Sequence, residues 1–181
     1  ILGTHDTARI LTVLGGIQCL SKEEMAQDWA YLNDNARKNA IEKLKMAAVL
    51  QFTVPGVPCI YYGDENGMEG HIDPFCRRCF DWAHLNEDLI AFYRKLGEIR
   101  EEYREIFKDG DFKELRIEES LFLYKRTKKD GDVYVCTNNS FKSYILNLPE
   151  TYKDCFSGKI YENELLIEPY SYKIFVKADK W

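Results

Sequence analysis

The sequence predicts an α/β segment over residues 1–105 followed by an all-β domain over residues 106–181. Three observations predict this. In the first part, stretches with helical spacing alternate with short apolar runs, the pattern of βα units and a parallel sheet. In the second, short β-branched and aromatic runs are separated by turn residues, as in an antiparallel sandwich or barrel. The length, 181 residues, suits one or two domains with a sizeable core.

The chain opens on "ILGTHDTARI", an apolar strand end followed at once by His5 and Asp6. In "ARKNAIEKLKMAAVLQF", Ala40, Leu44, Ala47, Ala48 and Gln51 fall near helical spacing, with charges on the opposite face. "TVPGVP" ends that helix, because Pro55 cannot continue it and Gly56 turns the chain. "VPCIYYG" is too short for a helix and apolar throughout, which predicts a strand buried on both faces. "NEDLIAFYRKLGEIREEY" carries a stripe of Leu89, Ile90, Tyr93, Leu96 and Ile99. Asn86 is its N-cap, with Glu87 and Asp88 near the positive end of the helix dipole. Beyond residue 105, "LFLYKRT", "DVYVCTN", "SYILNL", "LLIEP" and "YKIFVK" predict five to seven short strands. Asp130-Gly131 marks a hairpin, and Pro149 and Ser157-Gly158 mark turns.

Composition narrows the function classes. Net charge is −5, without the basic stripe of a nucleic-acid binder. No run approaches the ~18 apolar residues of a membrane span, and no signal-peptide pattern is visible. Aromatic residues make up 14%. Most fit a β-rich core, although such rings also stack on sugars. The Cys residues at 19, 59, 76, 79, 136 and 155 are scattered, and a single C-x-x-C at Cys76 and Cys79 is a weak zinc signal. They read as unpaired thiols of a reducing, cytoplasmic compartment.

The chemistry-bearing residues gather after apolar runs. His5-Asp6 follows one and Tyr62, Asp64 and Glu65 follow another, while Asp73, Arg77 and Arg78 sit in the loop "DPFCRRCFDW". By itself the His-Asp pair reads as a helix N-terminal arrangement. In a βα-barrel, loops that follow strands converge on one face. Carboxylates, an imidazole and guanidinium groups converging there suit a neutral ligand dense in hydroxyls.

"GTHDTARIL", "QFTVPGVPCIYYGDENGMEG" and "DPFCRRCFDW" resemble, in order and spacing, the last part of the α-amylase superfamily of glycoside hydrolases, most closely its neopullulanase and cyclomaltodextrinase group. The resemblance is close over about residues 1–105 and looser over "SGKIYENELLIEPYSYKIFV". It implies the C-terminal part of a (β/α)8 barrel followed by an antiparallel β-sandwich. It also implies retaining cleavage of α-glucosidic bonds in maltooligosaccharides, cyclodextrins, pullulan or starch-derived glucans. Asp6 matches the family's transition-state-stabilising carboxylate, and His5 the histidine that bonds the same sugar. Asp73 and Arg77 match the pair that binds the next sugar on the non-reducing side. Arg9 and Arg78 match family arginines that support the site or touch the ligand. Asp64 and Glu65 shape the acceptor side or support the strand end; Tyr62 stands with them as support.

The resemblance also implies that the chain is a piece whose nucleophile and general acid lie upstream, so that it is inactive alone. It implies no cofactor in this piece, with calcium possible in the parent. Departures fall in the sugar-binding loop. Cys76 replaces Asn or Asp, and Cys79 and Asp81 replace family Thr/Pro and Pro. His71 in "HIDP" reads as a surface residue rather than a ligand, because a site needs converging groups. Partners implied are an α-glucan and, through exposed barrel surfaces, a second copy of the piece; no nucleic acid and no membrane. The rival class is a non-catalytic amylase-like partner or transport subunit. It is distinguished by whether the parent carries an Asp and a Glu at the ends of its fourth and fifth barrel strands.

Overall fold

The computed structural model describes residues 1–16, 23, 31–129 and 131–178. Cys19, Asp130 and Trp181 lie outside the described residues. The chain divides into two compact units, residues 1–51 with 58–94, and residues 52–57 with 95–181.

In the first unit, α1 (Ile10–Leu14) follows the His5-Asp6 turn. Helix α2 (Asp34–Thr53) begins at Asn33, whose Oδ1 accepts the Ala36 N–H at 3.0 Å. Ala40, Leu44 and Ala48 are fully buried along it, as the spacing predicts. It ends before Pro55 and Gly56, where φ reaches +122° at the glycine. Helix α3 (Glu87–Glu102) is capped as expected: Asn86 Oδ1 accepts the Leu89 N–H at 3.1 Å. Leu89, Tyr93, Leu96 and Ile99 are buried, while Ile90 is only half-buried and Phe92 joins the core instead.

The run Val57–Tyr62 differs from its expectation. It pairs with no strand among the described residues, and Val57, Ile60 and Tyr62 are exposed. A parallel strand is built by ladder neighbours on each side and by layers above and below. The described residues supply no ladder neighbour, and most of the run stays exposed.

In the second unit, α4 (Arg104–Asp109) precedes β1 (Asp111–Glu118), β2 (Leu121–Lys128), β3 (Gly131–Asn138), β4 (Tyr144–Asn147), β5 (Tyr152–Asp154), β6 (Ile160–Tyr161), β7 (Glu164–Ile167) and β8 (Ser171–Lys177). Six strands form one sheet in the order β1-β2-β3-β8-β5-β6, and β4 pairs with β7 in a separate ribbon. Every pairing is antiparallel. The β2–β3 hairpin closes at Lys128 opposite Gly131, and Gly158 sits at φ +71° in the turn after β5. Both sheets feed one core, with Leu121, Cys136, Tyr152 and Phe175 from the first and Leu146, Leu165 and Ile167 from the second. The count exceeds five to seven because of β1 and β6. Charged β1 faces solvent along most of its length at a sheet edge, and β6 has two residues.

Candidate sugar-binding site

Residues 4–7 form a tight turn in which Thr4 Oγ1 accepts the Asp6 N–H at 3.2 Å and Thr7 Oγ1 accepts the Thr4 N–H at 3.0 Å. The turn delivers His5 and Asp6 side by side, with His5 Nε2 at 3.1 Å from Asp6 Oδ2. Arg77 stands across from them in a 3-10 turn, Phe75–Arg77. Its Nη2 donates to Asp6 Oδ1 at 3.1 Å, and its Nε donates to the His5 carbonyl at 3.0 Å and lies 3.0 Å from Asp73 Oδ1. Cys76 adds a thiol bond to the same His5 carbonyl at 3.1 Å. One guanidinium therefore gathers the His5 carbonyl and the Asp6 and Asp73 carboxylates, although the His5-Asp6 pair and Asp73 are far apart in sequence. All four side chains stay accessible. Exposed ion pairs contribute about 0–1 kcal/mol to folding, so this cluster is poorly explained by stability. Carboxylates and donors presented together to solvent suit paired hydroxyls.

A second, buried cluster lies beneath. Arg9 is buried, bonds the Tyr62 carbonyl, and lies 3.7 Å from Asp64 Oδ1. Its guanidinium carbon sits 4.3 Å from the Tyr61 ring centroid and 4.5 Å from that of Tyr62. Arg9 Nε and Nη2 find no hydrogen-bond acceptor among the described residues, so the ring faces are its main compensation. Burial pushes the Asp64 carboxyl up to about 6; Arg9 opposes the rise and neighbouring Glu65 adds to it. Tyr62 donates its hydroxyl to the Arg78 carbonyl at 2.7 Å, and Arg78 bonds the Tyr31 hydroxyl and stacks on that ring at 4.9 Å. Burial lowers the Arg78 guanidinium pKa. Asp64 and Glu65 open a 3-10 turn, Asp64–Asn66, entered through Gly63 at φ +88°. A Cβ at Gly63 would also meet Met68 Sδ at 2.3 Å.

Two residues of this region, Glu69 and Asn66, went unnoticed in the sequence. Glu69 is buried, accepts the Leu32 N–H at 2.7 Å and bonds Arg37, whose Nη2 reaches the Gly67 carbonyl at 2.8 Å. Asn66 is buried and bridges the carbonyls of Asp81 and His84 to the N–H of Asn86. Their only sequence signal is a polar side chain inside a glycine-flanked loop, which also describes a solvated residue. His71 corrects the expectation of a surface residue: it is buried at 4% exposure, and the preceding Gly70 is held inward, its N–H donating to Thr12 Oγ1 at 3.0 Å and its carbonyl accepting the Arg9 N–H at 2.8 Å.

Among the described residues, no group of three or more His, Cys, Asp and Glu side chains could hold a metal ion, so no step is assigned to calcium. Cys59, Cys76, Cys79, Cys136 and Cys155 are free thiols. No helix of the described residues is long and apolar enough to cross a membrane.

Known proteins resemble this chain in sequence and in fold. The sequence profile of the alpha-amylase catalytic domain matches residues 1–109. A cyclomaltodextrinase of Thermoanaerobacter pseudethanolicus is 37% identical over 152 residues, 83% of this chain and 22% of the relative. An amylopullulanase of Thermoanaerobacter thermohydrosulfuricus is 38% identical over 167 residues, 92% of this chain and 9% of the relative. The chain thus spans less than a quarter of each. In fold it resembles the alpha-amylase of Geobacillus thermoleovorans solved with acarbose, at a TM-score of 0.78 and 23% identity, covering 99% of this chain and 38% of that one.

Proposed function

Because this chain belongs to the alpha-amylase family, we propose that it supplies the sugar contacts of a retaining glycoside hydrolase that cleaves α-glucosidic bonds. The substrates are maltooligosaccharides, cyclodextrins, pullulan or starch-derived glucans. In this reading residues 1–105 are the end of a (β/α)8 barrel and residues 106–181 an antiparallel β-sandwich. The nucleophile and general acid come from protein outside these 181 residues.

The observation that carries the reading is the single guanidinium of Arg77 joining His5, Asp6 and Asp73. Asp6 accepts the 2-OH and 3-OH of the glucose at the cleaved bond, with His5 beside it on the same sugar. Arg77 fixes the Asp6 carboxylate by one oxygen and leaves accepting capacity for those hydroxyls. As the ring flattens toward the oxocarbenium-like transition state, bonds at the 2-OH strengthen, so Asp6 favours that state over bound substrate. Asp73 and Arg77 hold the next glucose on the non-reducing side. Arg9, Tyr62, Asp64 and Arg78 support the floor from below, and Glu65 stands beside Asp64. The free thiols support a reducing, cytoplasmic setting.

The test compares two purified proteins: the enzyme that contains this chain, and the 181-residue chain itself. The enzyme is expected to release reducing sugar from maltooligosaccharides with retention of anomeric configuration. The chain alone is expected to release none, since loss of one catalytic group already costs about 10³-fold or more. An enzyme inert on every α-glucan, or turnover by the isolated chain with contaminating amylase excluded, overturns the reading.

A further inference from the structure

The peptide that joins His5 to Asp6 is tied at both polar ends. Its carbonyl oxygen accepts the Cys76 thiol at 3.1 Å and Arg77 Nε at 3.0 Å. Its N–H donates to Thr4 Oγ1 at 3.2 Å. A peptide is planar, so holding its oxygen and its hydrogen fixes the two Cα atoms at its ends. From those atoms the His5 and Asp6 side chains leave the backbone. The orientation of this one peptide therefore sets where the imidazole and the carboxylate stand.

The two donors to that oxygen are not equivalent. Arg77 also reaches Asp6 Oδ1 at 3.1 Å and Asp73 Oδ1 at 3.0 Å. A guanidinium shared among two carboxylates, a carbonyl and an arriving sugar can redistribute its bonds. Cys76 has no such choice. It is fully buried within these 181 residues, so protein beyond them can only add cover. Its own carbonyl lies 3.4 Å from the Tyr61 hydroxyl, and the Tyr61 ring carries the buried Arg9 guanidinium at 4.3 Å. The thiol is thus the fixed donor and Arg77 the adaptable one. An inaccessible thiol meets no sugar, so its effect on the site passes through His5 and Asp6. Resting on the α-glucan reading above, we infer that Cys76 is a positioning residue: its buried thiol holds the His5–Asp6 peptide in the orientation that aims Asp6 at the sugar hydroxyls.

Cys76→Ser keeps a donor and Cys76→Ala removes it, with little difference in volume. In the enzyme that contains this chain, kcat and KM on maltotriose are measured for both, for Asp6→Asn, and for Cys76→Ala combined with Asp6→Asn. Cys76→Ala is expected to lower kcat about tenfold and to leave KM within about twofold, because misplacing a group that acts in the transition state costs rate before binding. Cys76→Ser is expected to recover kcat to within about threefold of the parent. A thiol that acts through Asp6 has nothing left to aim once the carboxylate is gone. The double variant is therefore expected to lose no more than Asp6→Asn alone, whereas a purely structural role would add its own loss. Where Cys76→Ala leaves too little folded enzyme, Cys76→Val against Cys76→Thr, alike in shape and differing in the donor, makes the same comparison. Parent kinetics in the variant without a donor, equal losses with and without a donor, or losses that multiply in the double variant overturn the positioning role and leave the glucan reading standing. A parent enzyme inert on every α-glucan overturns both.

Discussion

Asp6 gives one carboxylate oxygen to Arg77 and the other to His5, while 67% of its side chain stays accessible. That combination, fixed yet open, explains why the proposed role is felt in the chemical step. Asp6→Asn in the enzyme containing this chain is expected to lower kcat/KM about 10²-fold, with most of the loss in kcat, as for one preorganised electrostatic group. Steady-state kinetics on maltotriose check this, and activity within twofold of the parent removes Asp6 from the site. Asp64 supplies a second prediction, in pH. Its folded pKa, about 6, lies above the ordinary 3.8 because burial disfavours the anion. The fold therefore binds the protonated form more tightly. Its contribution is full below about pH 3.8 and is lost as pH rises through about 6. Asp64→Asn is expected to flatten the fall in Tm across that window, read from melts at stepped pH. At this scale the sequence was legible where residue types were rare and adjacent, as with His5-Asp6. It was silent on Glu69 and Asn66, whose importance comes from burial. No local pattern announces that a Glu in "GMEG" will face two donors away from water.

The helices were the most legible elements, because spacing, cap and stop all agree: Asn86 before α3, Pro55 and Gly56 after α2. Strand β1 was illegible for the opposite reason. Its edge position requires charges along the strand to discourage further pairing, which erases the alternation that would reveal it. Strand β2 shows a subtler case. Arg126 is in phase with buried Tyr124, so alternation places a cation on the inner face, and it is buried at 1% exposure. It survives there by closing the ends of two helices. Its Nη1 donates to the Thr53 carbonyl at 3.1 Å, and its Nη2 donates to those of Phe107 and Gly110 at 3.1 and 2.9 Å. Helix C-terminal carbonyls lack intrahelical donors, and a cation also suits that end of the dipole. Arg126→Leu keeps the apolar contacts but strands three acceptors. It is expected to destabilise the chain by about 3 kcal/mol, since buried hydrogen bonds to charged groups contribute about 1.5–3 kcal/mol each and some carbonyls will recover water. Urea unfolding with an unchanged m-value checks it; a loss under about 1 kcal/mol would mean that water already serves these carbonyls.

For the whole molecule, the strands of the antiparallel half pair with one another, whereas the apolar run Val57–Tyr62 pairs with no strand among the described residues. Val57 is 89% exposed and Ile1 73%, with Ile60 and Tyr62 also open. Apolar runs of this composition are stable as strands only with neighbours on both sides. Unpaired extended backbone with apolar side chains recruits whatever can pair with it. The isolated chain is therefore expected to self-associate through this surface, with the apparent mass rising between micromolar and higher concentrations in light scattering. Replacing Val57 and Ile60 together by Lys puts like charges along the run and should return the chain to monomer. The antiparallel half should keep its hydrogen-exchange protection, because none of its core side chains belongs to that run. A clean monomer at every concentration, with slow exchange across residues 57–62, would show that the run is already paired and would remove the basis of the prediction.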